Sequence, residues 1–249
     1  MPPCFQWVNP AFALHIQDWP VLADKSYSSS VTIKSLEPPV PGVVEKVRRT
    51  LEEEILRGTL DPGSRVNADD VARRMGISHI PVREALRALE AEGWVLHRPH
   101  QGASVRQREL TELVDLFEAR AVIEPNAVRL AAQRRTNEDL QALRGILAEQ
   151  EAAAEPEALA RINFDFHVAL AAAAHNSTLL SVVISLSKRV RFYFLPTATV
   201  RKADSLADHR ELYALLERRD SEGAQALLRE HIDSTRIDAC AGLSQGAAR

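Results

Sequence analysis

Gly76-Ile77-Ser78-His79-Ile80-Pro81-Val82-Arg83-Glu84-Ala85-Leu86-Arg87-Ala88-Leu89-Glu90-Ala91-Glu92-Gly93 reads as the second half of a helix-turn-helix that carries cations on its outer face. Ser78 suits the N-cap, where its hydroxyl can accept from the unpaired backbone donors that open a helix. Pro81 is tolerated in the first turn, whose N–H groups lack partners anyway. Val82, Ala85, Leu86 and Leu89 fall at helical spacing and form one apolar stripe. His79, Arg83 and Arg87 lie on another face, four residues apart, and Gly93 closes the helix where a left-handed residue is usual. A short helix that buries one side and aims Arg from its N-terminal turns is shaped to enter a DNA major groove. Taken alone, the segment also reads as an ordinary amphipathic surface helix.

The flanks favour the DNA-binding reading. Val44, Val47, Leu51 and Ile55 form a helical stripe that predicts a helix over 43–57. Gly58 stops it, and Asp61-Pro62-Gly63 is a turn signal. Residues 68–75 form a short helix with Val71 and Met75 inward and Gly76 at its end. Downstream, Trp94-Val95-Leu96-His97-Arg98 and Ala103-Ser104-Val105-Arg106 are strand-like runs joined by Pro99-His100-Gln101-Gly102. A hairpin tipped by Arg98, His100 and Gly102 can approach a minor groove, where a cation is favoured and Gly allows close contact.

Residues 43–106 resemble the winged helix-turn-helix of GntR-type bacterial transcription regulators. The resemblance is carried in order by residues 55–63, 71–78, 81–89 and by Glu92-Gly93. It implies double-stranded operator DNA as partner, with Ser78, Arg83 and the wing as contacts. The family usually has Ser-Arg-Thr-Pro where this chain has Ser78-His79-Ile80-Pro81. His79 is a weaker, pH-dependent cation and Ile80 has no side-chain donor, so operator preference is expected to differ there.

Composition bounds the rest. The chain has 249 residues, 31 Lys and Arg against 34 Asp and Glu, and a formal net charge of −3. That excludes a generally basic nucleic-acid coat. Residues 43–106 hold 11 Lys and Arg against 10 Asp and Glu, a net +1, so positive charge must act locally. The length allows two domains of about 65 and 130 residues plus a tail. Cys4 and Cys240 have no metal or redox spacing and suggest a reducing compartment. No apolar run of membrane-spanning length occurs, and no signal peptide opens the chain, so the expected location is cytoplasmic. Residues 1–42 read as a flexible N-terminal extension, with Ser-rich and Pro-rich stretches at 26–30 and 36–42.

Beyond Leu110 the pattern becomes helical. Between residues 104 and 241 the only glycines are Gly145 and Gly223. Breaks divide the region into helices at 110–134, 137–153, 157–174, 178–195, 204–219 and 221–240. Pro125 should kink or interrupt the first. Short links imply antiparallel neighbours in a bundle. The fold class expected is therefore mainly α: an N-terminal winged helix-turn-helix with a small β-wing, then an antiparallel all-helical bundle over 110–240.

Asn163 and His167 are one turn apart and share a helix face. His209 and His231 are equally spaced about Asp220, so an antiparallel hairpin sets both rings at one height. One His from each of three helices, with a neighbouring oxygen ligand, fits a divalent-metal site; helix-surface histidines are the alternative. Residues 110–236 are similar to the FCD effector domain of the FadR subgroup, on the strength of segments 117–124, 163–167, 174–176, 208–210, 220–224 and 230–232. The resemblance implies a metal ion at Asn163, His167, His209 and His231, zinc before nickel or manganese. Asn163 stands where many members have Asp. It is a poorer ligand than a carboxylate, and Asp165 should point away. It further implies a homodimer and a small carboxylate effector held by Arg120 in a bidentate pair; a salt bridge from Arg120 to Glu124 is the alternative.

These features describe a DNA-binding regulator, a repressor by precedent, and not an enzyme. Two other classes stay open: a metal-dependent hydrolase-like helical domain fused to a DNA-binding head, and an architectural DNA binder without effector.

Overall fold

The computed structural model describes residues 42–98 and 102–246. Helix α1, Val43–Arg57, buries Val47, Leu51 and Ile55. Val44 is 38% exposed, so the buried stripe starts one turn later than its spacing predicts. Helix α2, Ala68–Met75, is capped by Asn67, whose side-chain oxygen accepts from the Asp69 amide at 2.9 Å. Helix α3, His79–Ala91, packs Val82, Ala85, Leu86 and Leu89 inward against α1. Burial of side chains of this size contributes roughly 1.5–3 kcal/mol each.

Strands β1 (Arg65–Val66), β2 (Val95–Arg98) and β3 (Gly102–Val105) form an antiparallel sheet in the order β1-β3-β2. β1 has no signature in the sequence, since two residues cannot display an alternating pattern. Its pairing, Arg65 with Ser104 and Val66 with Ala103, ties the wing back to the head. Gly93 turns out of α3 with φ 79°, and a Cβ there would stand 2.9 Å from Arg189 Nη2. The left-handed turn favours Gly at that position, and a larger residue would also displace the Arg189 guanidinium.

Helices α4 (Leu110–Arg134), α5 (Asn137–Ala152), α6 (Pro156–Ala172), α7 (Ser177–Phe194), α8 (Lys202–Glu217) and α9 (Ser221–Gly246) form the bundle. Local signals set several starts. Thr136 and Asp139 make a reciprocal capping box at α5, and Asn176 accepts from the Leu179 amide at α7. Of the two outcomes expected of Pro125, a kink or a break, the break does not occur: α4 runs through it. Next to the missing donor, Asn126 Nδ2 donates to Val122 O at 2.6 Å, and Pro125 itself is buried. α9 continues past residue 240 because Cys240 and Leu243 pack against the core.

α4 packs on α9, α6 and α7, and α8 on α9 and α5, so α4, α6, α8 and α9 meet inside the bundle. α7 also touches α1. Lys188 Nζ meets Glu52 Oε1 at 2.8 Å, and Arg191 meets both oxygens of Glu53 at 2.8 and 3.3 Å. Arg189 Nη1 meets Glu112 at 2.7 Å, and Trp94 meets Phe192 edge to face at 6.1 Å. One apolar core runs through head and bundle. Among the described residues, no helix is long and apolar enough to cross a membrane.

Candidate metal centre and nucleic-acid interface

On the head, Ser78, His79, Arg83 and Arg87 all lie on the exposed side of α3's first turns. Ser78 occupies the N-cap, yet its hydroxyl makes no capping bond. Of the two amides that could donate to it, the third helical residue is Pro81 and has no N–H, and the second, Ile80, makes no such bond. The Ser78 hydroxyl thus stays open to solvent. His79 Nδ1 faces Asp69 at 3.0 Å, and Arg87 Nη1 donates to Glu84 at 2.9 Å. Arg83 has no ion-pair partner among the described residues. Of these three cations it is the one free to bind a base edge without first breaking a pair. Arg98 and Gly102 are directly opposed across the hairpin; His100 lies outside the described residues.

A cleft of about 430 Å³ separates α3 from the wing, lined by Arg83, Arg87, His97, Gly102 and, unforeseen from the sequence, Arg65. Arg65 belongs to β1, the strand without a signature in the sequence. Its guanidinium lies 3.7 Å from where a Cβ of Gly102 would be.

In the bundle, His167 on α6, His209 on α8 and His231 on α9 are buried, at 2, 0 and 2% exposure. One ring nitrogen from each lies within 4.8 Å of the others. Each Nδ1 has an outer oxygen. His167 Nδ1 is 2.8 Å from Glu124 Oε2, His209 Nδ1 is 2.8 Å from Gln150 Oε1, and His231 Nδ1 is 2.9 Å from Asp208 Oδ2. Those acceptors hold the proton on Nδ1 and leave Nε2 as the basic nitrogen, the tautomer a metal ligand needs. His231 Nε2 is buried and has no partner. Phe166 stacks on the His209 ring at 3.8 Å, 15° from parallel, which fixes its orientation.

Two nitrogens bound to one ion at about 2.1 Å are no more than about 4.2 Å apart. The rings would therefore draw slightly together around an ion. Asn163 is buried one turn before His167, and its side chain has no hydrogen-bond partner among the described residues, so its amide oxygen is available. Asp165 points away, as its spacing predicts, with Oδ2 at 2.6 Å from Arg161 Nη1.

Arg120 is 1% exposed. Its Nε donates to Glu124 Oε1 at 2.6 Å and its Nη2 to Oε2 at 3.2 Å. Nη2 also lies 3.3 Å from both ring nitrogens of His167, while Nη1 is buried without a partner. The salt bridge to Glu124 is present, and one guanidinium nitrogen remains unmatched.

Comparison with known proteins assigns the chain. Residues 43–105 match the model of bacterial regulatory proteins of the gntR family, and residues 115–234 match the FCD domain. The Nta operon transcriptional regulator of Aminobacter aminovorans is 35% identical over 173 residues, which cover 69% of this chain and 82% of that protein.

The chain belongs to the GntR family.

The probable D-xylose utilization operon transcriptional repressor of Paenarthrobacter nicotinovorans is 31% identical over 194 residues, covering 76% of this GntR regulator and 85% of its relative. The solved structure of E. coli McbR/YncC shares the fold, with a TM-score of 0.69 at 24% identity over 80% of this chain and 98% of that one. The matched families are those of transcriptional regulators rather than enzymes. The metal-dependent hydrolase reading is thereby set aside.

The outer partners Gln150 and Glu124, and Arg201 behind Asp208, reach the cluster from other helices and turns of the chain. Arg201, 5% exposed, holds Asp238 at 2.6 Å and lies 3.7 Å from Asp208 Oδ2, the oxygen that fixes His231. No local signal marks Gln150 or Arg201, because each meets the cluster only through tertiary packing. Asp208 was quoted only as a neighbour of His209.

Burial dominates the electrostatics of the regulator's centre. It pushes His231 down to about 4 against the opposing pull of Asp208, and His209 well below the usual histidine range, with His231 and His167 adding like charge. His167 is also lowered, by burial first, although Glu124 pulls it up. All three are neutral at pH 7. The unfolded chain takes up protons below about 6.5, whereas folded His231 resists until about 4 and His209 and His167 also stay neutral below the usual histidine range. This contribution is therefore fully present above pH 6.5 and is lost as pH falls towards 4. Asp165, raised by burial to about 6, opposes with a single proton. Chelator-treated protein is expected to melt at least ~5 °C lower at pH 5.5 than at pH 7. Equal melting temperatures by scanning calorimetry would contradict neutral, buried imidazoles.

Proposed function

We propose that this GntR regulator is a cytoplasmic homodimeric repressor whose hold on operator DNA is set by a small organic acid bound beside a divalent metal ion. The observation that carries the metal reading is the unpartnered, buried Nε2 of His231 within a ring of three imidazoles, each oriented from behind. His167, His209 and His231 would hold the ion, with Asn163 Oδ1 as a neutral fourth ligand. Borderline imidazole donors suit zinc, with nickel and manganese as the alternatives. A bound ion would supply an electrophilic centre for an effector oxygen.

The chain's own residues do the rest. Arg120 Nη1 offers a donor already dehydrated, and its bidentate pair with Glu124 is a carboxylate contact that an incoming acid can share or replace. Glu124, His167 and Val183 line a closed seam between α4, α6 and α7 that has no room for a water molecule, so an acid entering beside Glu124 must part these helices. On the same helix, Lys188 and Arg191 grip Glu52 and Glu53 of α1. α7 thus connects the surroundings of His167 to α1, the helix that supports α3. An acid that binds one placement of α7 more tightly shifts the DNA heads by that difference in affinity.

The test combines metal analysis with a melting screen of sugar acids, hydroxy acids and dicarboxylates, followed by operator release. The expected result is one equivalent of metal and at least one acid that both raises the melting temperature and weakens DNA binding. Stoichiometric binding of no metal, or no active acid, would overturn the reading.

Two narrower outcomes follow. Asp208→Asn keeps the shape but weakens the acceptor behind His231, and should lower metal affinity about 10–100-fold; competition with a fluorescent zinc chelator reads this directly. Arg191→Ala removes the bidentate grip on Glu53. It should reduce the acid-induced change in operator affinity roughly five-fold, equivalent to about 1 kcal/mol of coupling. An unchanged response by fluorescence anisotropy would show that α7 is not the link.

A further inference from the structure

Ile80 is 74% exposed at the second residue of α3, in the middle of its outward face. Helical spacing puts it in one row with Arg83, Glu84 and Arg87, all exposed. The opposite face, Val82, Ala85, Leu86 and Leu89, is buried in the head. Ile80 therefore has no role in the core of the described head, and it sits one turn from Arg83, the outward cation of α3 that lacks an ion-pair partner. Single exposed apolar residues are common; this one stands on the surface that faces DNA.

Its chemistry limits what it can recognise there. Ile has no donor or acceptor, so it cannot bind phosphate or pair with a base edge. The major-groove face of the bases presents donors and acceptors, plus one apolar group, the C5-methyl of thymine. We propose that Ile80 is a specificity-determining residue that reads a thymine methyl in each operator half-site, one turn along the helix from the base contacted by Arg83. This rests on the reading that α3 enters the major groove. Glu84, in the same row, is held by Arg87 at 2.9 Å. The pair neutralises a carboxylate that would otherwise repel the phosphates near that methyl.

Uracil substitution isolates the claim, because deoxyuridine differs from thymidine only by the missing methyl. A duplex selected by the full-length protein from a random-sequence pool is remade with each thymine replaced in turn by uracil. Binding by the wild-type protein should weaken about four-fold for the loss of one methyl contact, at one thymine per half-site. Ile80→Ala should bind the thymine and uracil duplexes equally at that position, and Ile80→Val should restore part of the preference. Ile80 is exposed, so neither variant disturbs the core. If no uracil weakens wild-type binding, or if the same uracil weakens Ile80→Ala equally, the proposal is overturned. Arg83→Ala on the parent duplex separates the two levels: undiminished binding there would overturn the placement of α3, whereas lost binding with no methyl effect would overturn the role of Ile80 alone.

Discussion

Arg83→Ala is expected to weaken operator binding by about a thousand-fold while leaving the fold intact. Arg83 is on the exposed face of α3, and none of the described residues pairs with it. Its removal therefore breaks no internal contact and leaves no buried partner behind. A bidentate Arg–guanine contact discriminates by about 1–3 kcal/mol. A homodimer on a two-fold operator loses two such contacts, which makes the combined loss ~4 kcal/mol. Arg87→Ala should cost less, because Arg87 already pairs with Glu84 and its loss acts only by uncovering that carboxylate. Fluorescence anisotropy at fixed salt measures both. Equal effects of the two substitutions would contradict the assignment of Arg83 as the principal reader. Unchanged circular dichroism and melting for Arg83→Ala are part of the expectation.

Metal removal is the second large effect. The three histidines come from α6, α8 and α9, so an ion bound among them ties three helices together. Metal at about a thousand times its dissociation constant stabilises the fold by ~4 kcal/mol. For a chain of this length that corresponds to a melting shift of roughly 10 °C. Stripping the protein with a strong chelator should lower the melting temperature by about that amount, and adding back zinc should restore it. The double variant His209→Ala and His231→Ala should carry no stoichiometric metal and show no chelator-dependent shift. A variant that retained one equivalent of metal would place the ion elsewhere. Asn163→Ala, by contrast, should weaken binding without abolishing it, since a neutral amide contributes less than an imidazole to a borderline ion.

What the sequence made legible, and what it did not, follows from the range of the interactions involved. Helix limits depend on neighbours within a few residues. Gly76, Thr136-Asn137 and Asn176-Ser177 therefore placed the elements within a residue or two of the observed boundaries. The level of His209 with His231 was legible because helical and hairpin geometry are regular about Asp220; that His167 joins them was implied by the resemblance to the FCD domain, and the structure brings all three together. The supports of that cluster were hidden. Gln150 reaches His209 from a position 59 residues away, and nothing near Gln150 distinguishes it from a solvated glutamine. Lys188, Arg189 and Arg191 likewise read as an ordinary charged helix face, yet they bind Glu52, Glu112 and Glu53. Two local details differ from the simplest reading. Ser78 makes no capping bond to α3, where Pro81 removes one of the two amides that could donate to it, and α4 runs through Pro125 without a break.

The measurement closest to the central claim is the operator affinity of metal-loaded protein, metal-stripped protein and the His209→Ala, His231→Ala variant, each titrated with the same panel of sugar acids, hydroxy acids and dicarboxylates. The account predicts at least one acid that weakens DNA binding by ten-fold or more for the loaded protein and leaves the other two unchanged. Equal responses in all three, or no response in any, would contradict it.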